Sequence, residues 1–273
     1  MTNVTDETTG ALRGWRDELR AGGRSKGTID VRLSHVRRFL GELGKAPGAV
    51  TRTDVVTWLA RDEWAPATRR SVRASLVLFF RWFSAVNGGV NPAEDLPRVM
   101  VPRSTPRPAP DYSVMQALRR SPAWVALAIE LMATCGLRRA ETACLKVSDF
   151  QPVGQGWIVR VAGKGGHVRN VPCPPRLALR VRARRGGFVF PGGQAGHVSP
   201  GWLGKCVKRA LDDELTCHTL RHRFASVAYG ASHDLRAVQE LLGHASVATT
   251  QVYTRVAADD VAGVAELAWK IAG

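Results

Sequence analysis

The chain of 273 residues carries 39 Lys and Arg against 23 Asp and Glu, a formal charge of +16. With 45% hydrophobic residues it can bury a core in one large or two modest domains, which excludes disorder as its main state. Five cysteines, an odd number without CxxC spacing, exclude a disulfide framework and a zinc ribbon.

The amino-terminal string MTNVTDETTG has no signal pattern, and the most apolar stretches, such as Ala74–Phe80, are too short to cross a bilayer. A soluble, cytoplasmic protein of a reducing compartment, without a membrane partner, is expected. The charge excess is mostly Arg and is spread out: +5 over 1–100, +2 over 101–110 and +9 over 111–273. Such a diffuse surplus suits a surface that wraps nucleic acid. It equally suits solubility in an Arg-rich, high-GC proteome, and composition alone leaves both open.

The first hundred residues read as four helices. Thr9–Arg20 places Leu12, Trp15 and Leu19 on one face before Gly22-Gly23. Thr28–Leu43 repeats Val31, Val36, Phe39, Leu40 and Leu43 with the 3.6-residue period. Thr51-x-x-Asp54 resembles a capping box for a short helix, and Pro66 suits the first turn of a long one over Thr68–Val86. Together these predict a bundle with Arg69, Arg70 and Arg73 on its outer faces. Residues 97–110, with five prolines and three arginines, predict a semi-rigid linker. Arg103 and Arg107 in it could lie along a phosphate backbone.

Beyond the linker the chain is mixed. Ser121-Pro122 precedes an apolar helix, Trp124–Cys135, stopped by Gly136. Gly156–Val161 and His167–Val171 predict a β-hairpin with Lys164 at its glycine-rich tip. Helical patterns follow over Trp202–Leu211, Thr219–Tyr229, Leu235–Leu242, Ala248–Val256 and Val261–Ile271. No internal repeat is present.

Four places carry chemistry. Gly136-Leu137-Arg138-Arg139-Ala140-Glu141 sets cations beside a carboxylate at the end of a buried helix; taken alone it is a structural ion pair. Gly163-Lys164-Gly165-Gly166-His167 lets an ammonium approach a phosphate, yet it feeds a strand and lacks the P-loop pattern, so nucleotide binding is not indicated. His218-Thr219-Leu220-Arg221-His222 opens a helix, where backbone N–H groups and the dipole favour an anion. His218 and His222 have zinc spacing but no glutamate or third ligand, which leaves His222 to packing or to supporting the site. Finally, His244 follows a glycine stop and Tyr253 comes nine residues later. Of the three tyrosines, Tyr229 reads as core and Tyr112 adjoins the linker.

As a set these are arginines, a lysine, histidines and a tyrosine with almost no carboxylate. Two-metal phosphodiester chemistry needs acidic ligands, so no metal site is expected. Fixed cations instead suit a phosphorane-like transition state, with tyrosine as nucleophile.

In this order the strings GLRRAE (136–141), GKGGHVRNVP (163–172), HTLRH (218–222) and LGHASVATTQVYTRV (242–256) resemble the tyrosine recombinase (phage integrase) family. The resemblance covers 111–273 through spaced motifs and 1–100 through the helical bundle and linker. It implies a mainly α fold: a core-DNA-binding bundle (1–96), the linker (97–110), and a mostly helical catalytic domain (111–273) with a small β-hairpin or sheet. Bundle and catalytic domain would clamp the duplex from opposite sides.

The resemblance implies roles residue by residue. Arg138 and Arg221 would hold the non-bridging oxygens of the scissile phosphate. Lys164 would protonate the leaving 5′ oxygen, and His218 would assist proton transfer. His244 would donate to a phosphate oxygen, and Tyr253 would attack phosphorus, leaving a 3′-phosphotyrosine. Glu141 would orient Arg138 or His218, with His222 also behind the reacting groups. No cofactor, neither ATP nor metal, is required. Thr219 departs from the Asp that many members carry, which touches only a supporting contact.

The implied partners are double-stranded attachment or core sites. A homotetramer forms on DNA in the synapse, with a monomer or weak oligomer when free. The first helix begins within ten residues of Met1, leaving no room in this sequence for an arm-binding domain. A short phage integrase is therefore expected, with a Xer-type resolvase as the alternative. Residues 259–273 carry the stripe Val261, Val264, Leu267, Ala268 and Ile271, which either packs at home or docks on a neighbouring protomer. The rivals from other classes are a DNA-binding protein without cleavage activity and a type IB topoisomerase-like relaxase.

Overall fold

Helix starts follow local chemistry in the first unit. In the computed structural model α1 spans Val4–Ala21 and α2 spans Lys26–Leu43, where the Ser25 hydroxyl accepts from the Thr28 amide and so starts the helix earlier than Thr28. The Thr51–Asp54 capping box forms at the start of α3 (Arg52–Leu59), with Lys45 2.8 Å from the Asp54 carboxylate. Pro66 is the first residue of α4 (Pro66–Asn87). The structure describes residues 4–102, 107–163, 166–184, 186–211 and 214–243, and the chain divides into two units, Met1–Ser104 and Thr105–Gly273.

The core of the first unit joins α1, α2, α3 and α4 through Trp15, Val36, Phe39, Trp58, Leu76, Phe79 and Phe80. Trp15 meets Phe79 edge-on at 5.2 Å, a geometry that aligns ring edge with ring face. The outer-face expectation needs correction for two arginines. Arg70 is exposed, but Arg69 and Arg73 are half-buried, donating to the backbone carbonyls of Arg61 and Leu96. Those carbonyls lie in loops that lack helical partners, and the long guanidinium arms supply the missing donors.

The second unit is built around α6 (Ala123–Cys135), apolar on nearly every face and therefore buried on nearly every face. Its one carboxylate, Glu130, is buried and held by Arg176 at 2.7 Å and Arg180 at 2.8 Å. An antiparallel sheet in the order β1 (Phe150–Val153), β2 (Gly156–Ala162), β3 (Val168–Cys173) pairs Val159 with Val171 and Ala162 with Val168. The expected hairpin is thus joined by a further strand.

Around this lie α5 (Asp111–Arg120), α7 (Arg139–Ala143), α8 (Pro175–Arg182), α9 (Pro200–Ala210), α10 (Cys217–Ser232) and α11 (Leu235–Leu242). The end of the proline-rich segment is fastened to this unit: Ala109 is buried and its amide donates to the Thr219 carbonyl at 3.0 Å. Among the described residues no helix is long and apolar enough to cross a membrane. The expected helices over 248–256 and 261–271 lie outside the described residues.

Candidate active site

The site grows from the end of α6. Gly136 adopts φ +61, and a Cβ there would lie 2.5 Å from the ring of Phe224, so only glycine lets α6 end against α10. Gly136→Ala is expected to cost about 2–4 kcal/mol, from the left-handed backbone plus the clash with a buried ring, read as a lower urea midpoint at unchanged slope.

The tight stop sends the chain into Arg138, the residue before α7. Glu141 folds back to accept from the Arg138 amide at 2.8 Å and from its Nη1 at 2.8 Å. The same carboxylate receives Nη1 and Nη2 of Arg169, on β3, at 2.9 and 2.8 Å. Burial alone would raise the Glu141 pKa, but the Arg169 guanidinium and the Arg138 amide outweigh it and hold it at about 2.

Arg221, on the first turns of α10, is 4% exposed and donates to the carbonyls of Gly136 and Leu242. Both partners are neutral. Desolvation, then repulsion from Arg138, pulls its pKa down to about 9, so it stays charged at neutral pH in a place crowded with cations.

The carboxyl end of α11 closes the site. Its last carbonyls accept one after another from arginines: Leu241 from Arg169 Nε at 2.9 Å, Leu242 from Arg221 Nη2 at 2.5 Å, and Gly243 from Arg138 Nη2 at 3.1 Å. Orphan carbonyls at the negative end of a helix dipole are natural partners for guanidinium groups. Gly243 itself has φ +60, and a Cβ there would meet Arg169 Cδ at 2.9 Å.

In front of these groups opens a cleft of about 650 Å³, lined by Arg138, Arg139, Lys205, Lys208, His218 and Arg221 with no carboxylate among the described lining residues. His218 is exposed on the first turn of α10, its ring 4.3 Å from that of His222, which burial pushes to a lower pKa. Thr219, the departure from the family pattern, completes the capping box by accepting from the Thr216 amide at 3.0 Å. Among the described residues no cluster of three His, Cys, Asp or Glu could hold a metal.

Three predicted site residues, Arg138, His218 and Arg221, thus meet at one cleft, and Glu141 stands behind Arg138 rather than behind His218. His222 meets the His218 ring edge-on. Lys164, His244, Tyr253 and Arg103 lie outside the described residues; Gly163 and Gly243, which precede Lys164 and His244, lie beside Arg169. Arg107 is exposed and paired with Glu214 at 3.1 Å. Tyr229 is 44% exposed rather than core, because the buried face of α10 is spent on Leu220, Phe224 and Ala228.

Two features escape the sequence reading. Arg169 shares the inward parity of Val171 and Cys173 on β3, and a cation on the core face of a strand signals a buried carboxylate partner. In the first unit, Arg16, Arg20, Arg24, Lys26 and Arg37 line a groove between α1 and α2 of about 590 Å³, with Asp30 its one acid among the described residues.

Residues 112–260 match the phage integrase family. The tyrosine recombinase XerC of Rhodospirillum centenum is 36% identical over 239 residues, covering 77% of this chain and 69% of its own length. XerA of Pyrococcus furiosus is 30% identical over 254 residues, 86% of both chains.

Among solved structures, the integrase of mycobacterium phage Brujita aligns with TM-score 0.53 and 29% identity over 94% of this chain and 91% of that one. A lambda integrase dimer bound to a COC′ core site shares the fold, with TM-score 0.68 and 21% identity over 91% and 98%. The chain therefore belongs to the phage integrase family of tyrosine recombinases.

Proposed function

We propose that this chain is a site-specific recombinase that cuts and rejoins double-stranded DNA through a phosphotyrosine on Tyr253, integrating and excising phage DNA. The observation that carries this is the meeting of Arg138, His218 and Arg221 at one cleft with no carboxylate among its described lining residues. Cations this crowded favour a bound dianion, and a phosphorane-like transition state gains more charge than the ground-state diester.

In the proposed step the Tyr253 oxygen bonds to phosphorus and its proton passes to His218. The bond from phosphorus to the 5′ oxygen breaks, and Lys164 protonates that oxygen. Arg138 and Arg221 hold the non-bridging oxygens, with His244 donating to one of them. The phosphodiester energy is kept in the new ester, so the reverse attack by a 5′-hydroxyl rejoins strands without ATP. Residues 1–96 serve as the core-DNA-binding domain, where the α1–α2 groove and Arg70 supply phosphate contacts. Residues 111–273 are the catalytic domain, and four copies assemble on DNA in the host cytoplasm.

The test uses nicked duplexes drawn from the DNA flanking the gene, with EDTA and no nucleotide. A protein–DNA adduct stable on a denaturing gel is expected. Its absence, or a need for divalent metal, would contradict the proposal.

The identity to Xer proteins supports a second reading, dimer resolution with a paralogous partner. The near full-length match to the Brujita integrase supports integration. Purified chain that recombines two sites by itself favours integration; a strict need for a second recombinase favours resolution.

A further inference from the structure

Arg169 lies at once against the described segments that lead to Arg138, Lys164 and His244. Its Nη1 and Nη2 bind Glu141, which in turn holds Arg138. Its Nε donates to the Leu241 carbonyl at 2.9 Å, fixing the end of α11 two residues before Gly243, after which the chain continues to His244. A Cβ on Gly163, the residue before Lys164, would come 3.6 Å from Arg169 Nη1 and 3.9 Å from Glu141 Oε1.

Its side chain is 12% exposed, so it is occupied by the protein rather than offered to solvent. One rigid, planar donor set therefore bonds two chain segments that are distant in sequence while lying beside the turn at Gly163, which a flexible ammonium could not do at once.

We propose that Arg169 is a positioning residue for strand cleavage: it sets the relative placement of Arg138, the turn that carries Lys164, and the chain entering His244 and Tyr253. The proposal rests on the recombinase function above. It assigns Arg169 no contact with DNA. Its contribution lies in the rate at which bound DNA reacts, since misplacement of reacting groups by about 1 Å costs on the order of 100-fold.

The experiment measures adduct formation on the nicked duplex under single-turnover conditions, with the rate at saturating protein and the half-saturating concentration read separately. Arg169→Gln is expected to react about 100-fold more slowly at saturation, with half-saturation moved by less than about threefold. Arg169→Lys keeps the charge on Glu141 but cannot also reach Leu241, and should recover about a tenth of the wild-type rate.

A rate for Arg169→Gln within about threefold of wild type would overturn the proposal, as would a loss of affinity equal to the loss of rate. Should Arg169→Gln fail to fold, Arg169→Lys decides alone: an unchanged saturating rate overturns the proposal, and a slower one at unchanged affinity supports it. Wild-type chain that forms no adduct overturns the recombinase function as well. A reactive wild type with an indifferent Arg169 overturns this inference alone.

Discussion

Tyr253→Phe is expected to lower covalent adduct formation by about 10⁴-fold or more while duplex affinity stays within about threefold. Phenylalanine keeps the ring and loses only the oxygen that bonds to phosphorus, so binding and chemistry separate. Substitute nucleophiles are scarce. Tyr112, on α5, and Tyr229, on α10, are 69% and 44% exposed and line no part of the cleft. Filter binding and a denaturing gel on the same reactions check both halves. An adduct that persists in the variant would assign the nucleophile elsewhere.

Glu141→Ala carries the largest expected cost to folding, about 3–5 kcal/mol, the usual penalty when one partner of a buried ion pair is removed. The side chain is 4% exposed and answers two guanidinium groups, so its loss leaves Arg138 and Arg169 facing each other and Arg221 without a counter-charge. Urea unfolding of the variant, compared with wild type at neutral pH, reads this directly.

The pH dependence has a definite sign. The folded-state carboxyl lies at about 2 against an ordinary value of 4.5. Its stabilisation is therefore complete above about pH 4.5 and is lost as pH falls through about 2. The gap between wild type and Glu141→Gln should narrow across that window. A gap that stays constant from pH 7 to about pH 2 would remove Glu141 from the account of stability.

What the sequence could show was whatever depends on neighbours in the chain. The Thr51–Asp54 capping box, Pro66 at a helix start, the apolar α6 and its stop at Gly136 all rest on spacings of a few residues. The four motif strings likewise group Arg138, His218 and Arg221, which the fold brings to one cleft.

What escaped depends on distant partners. Arg69 and Arg73 look like surface cations on a helix, until the carbonyls of Arg61 and Leu96 claim them. Tyr229 looks apolar by company, but α10 turns a different face inward. The helix α8, with Arg176, Arg180 and Arg182 between Leu177, Ala178 and Val181, hides a short buried stripe among charges. Strand β1 is four residues long with one buried side chain, too little for a period to show. Arg169 was visible in its motif string, yet its meaning requires Glu141 and Leu241, which lie 28 and 72 residues away.

The central claim is the covalent bond between Tyr253 and DNA. The most direct measurement traps the adduct on the nicked duplex, digests protein and DNA, and locates the nucleotide-bearing peptide by mass spectrometry. The expected result is a 3′-phosphonucleotide on Tyr253 within the tryptic peptide of residues 237–255. A nucleotide attached to any other residue, or an adduct joined through a 5′ phosphate, would contradict the account.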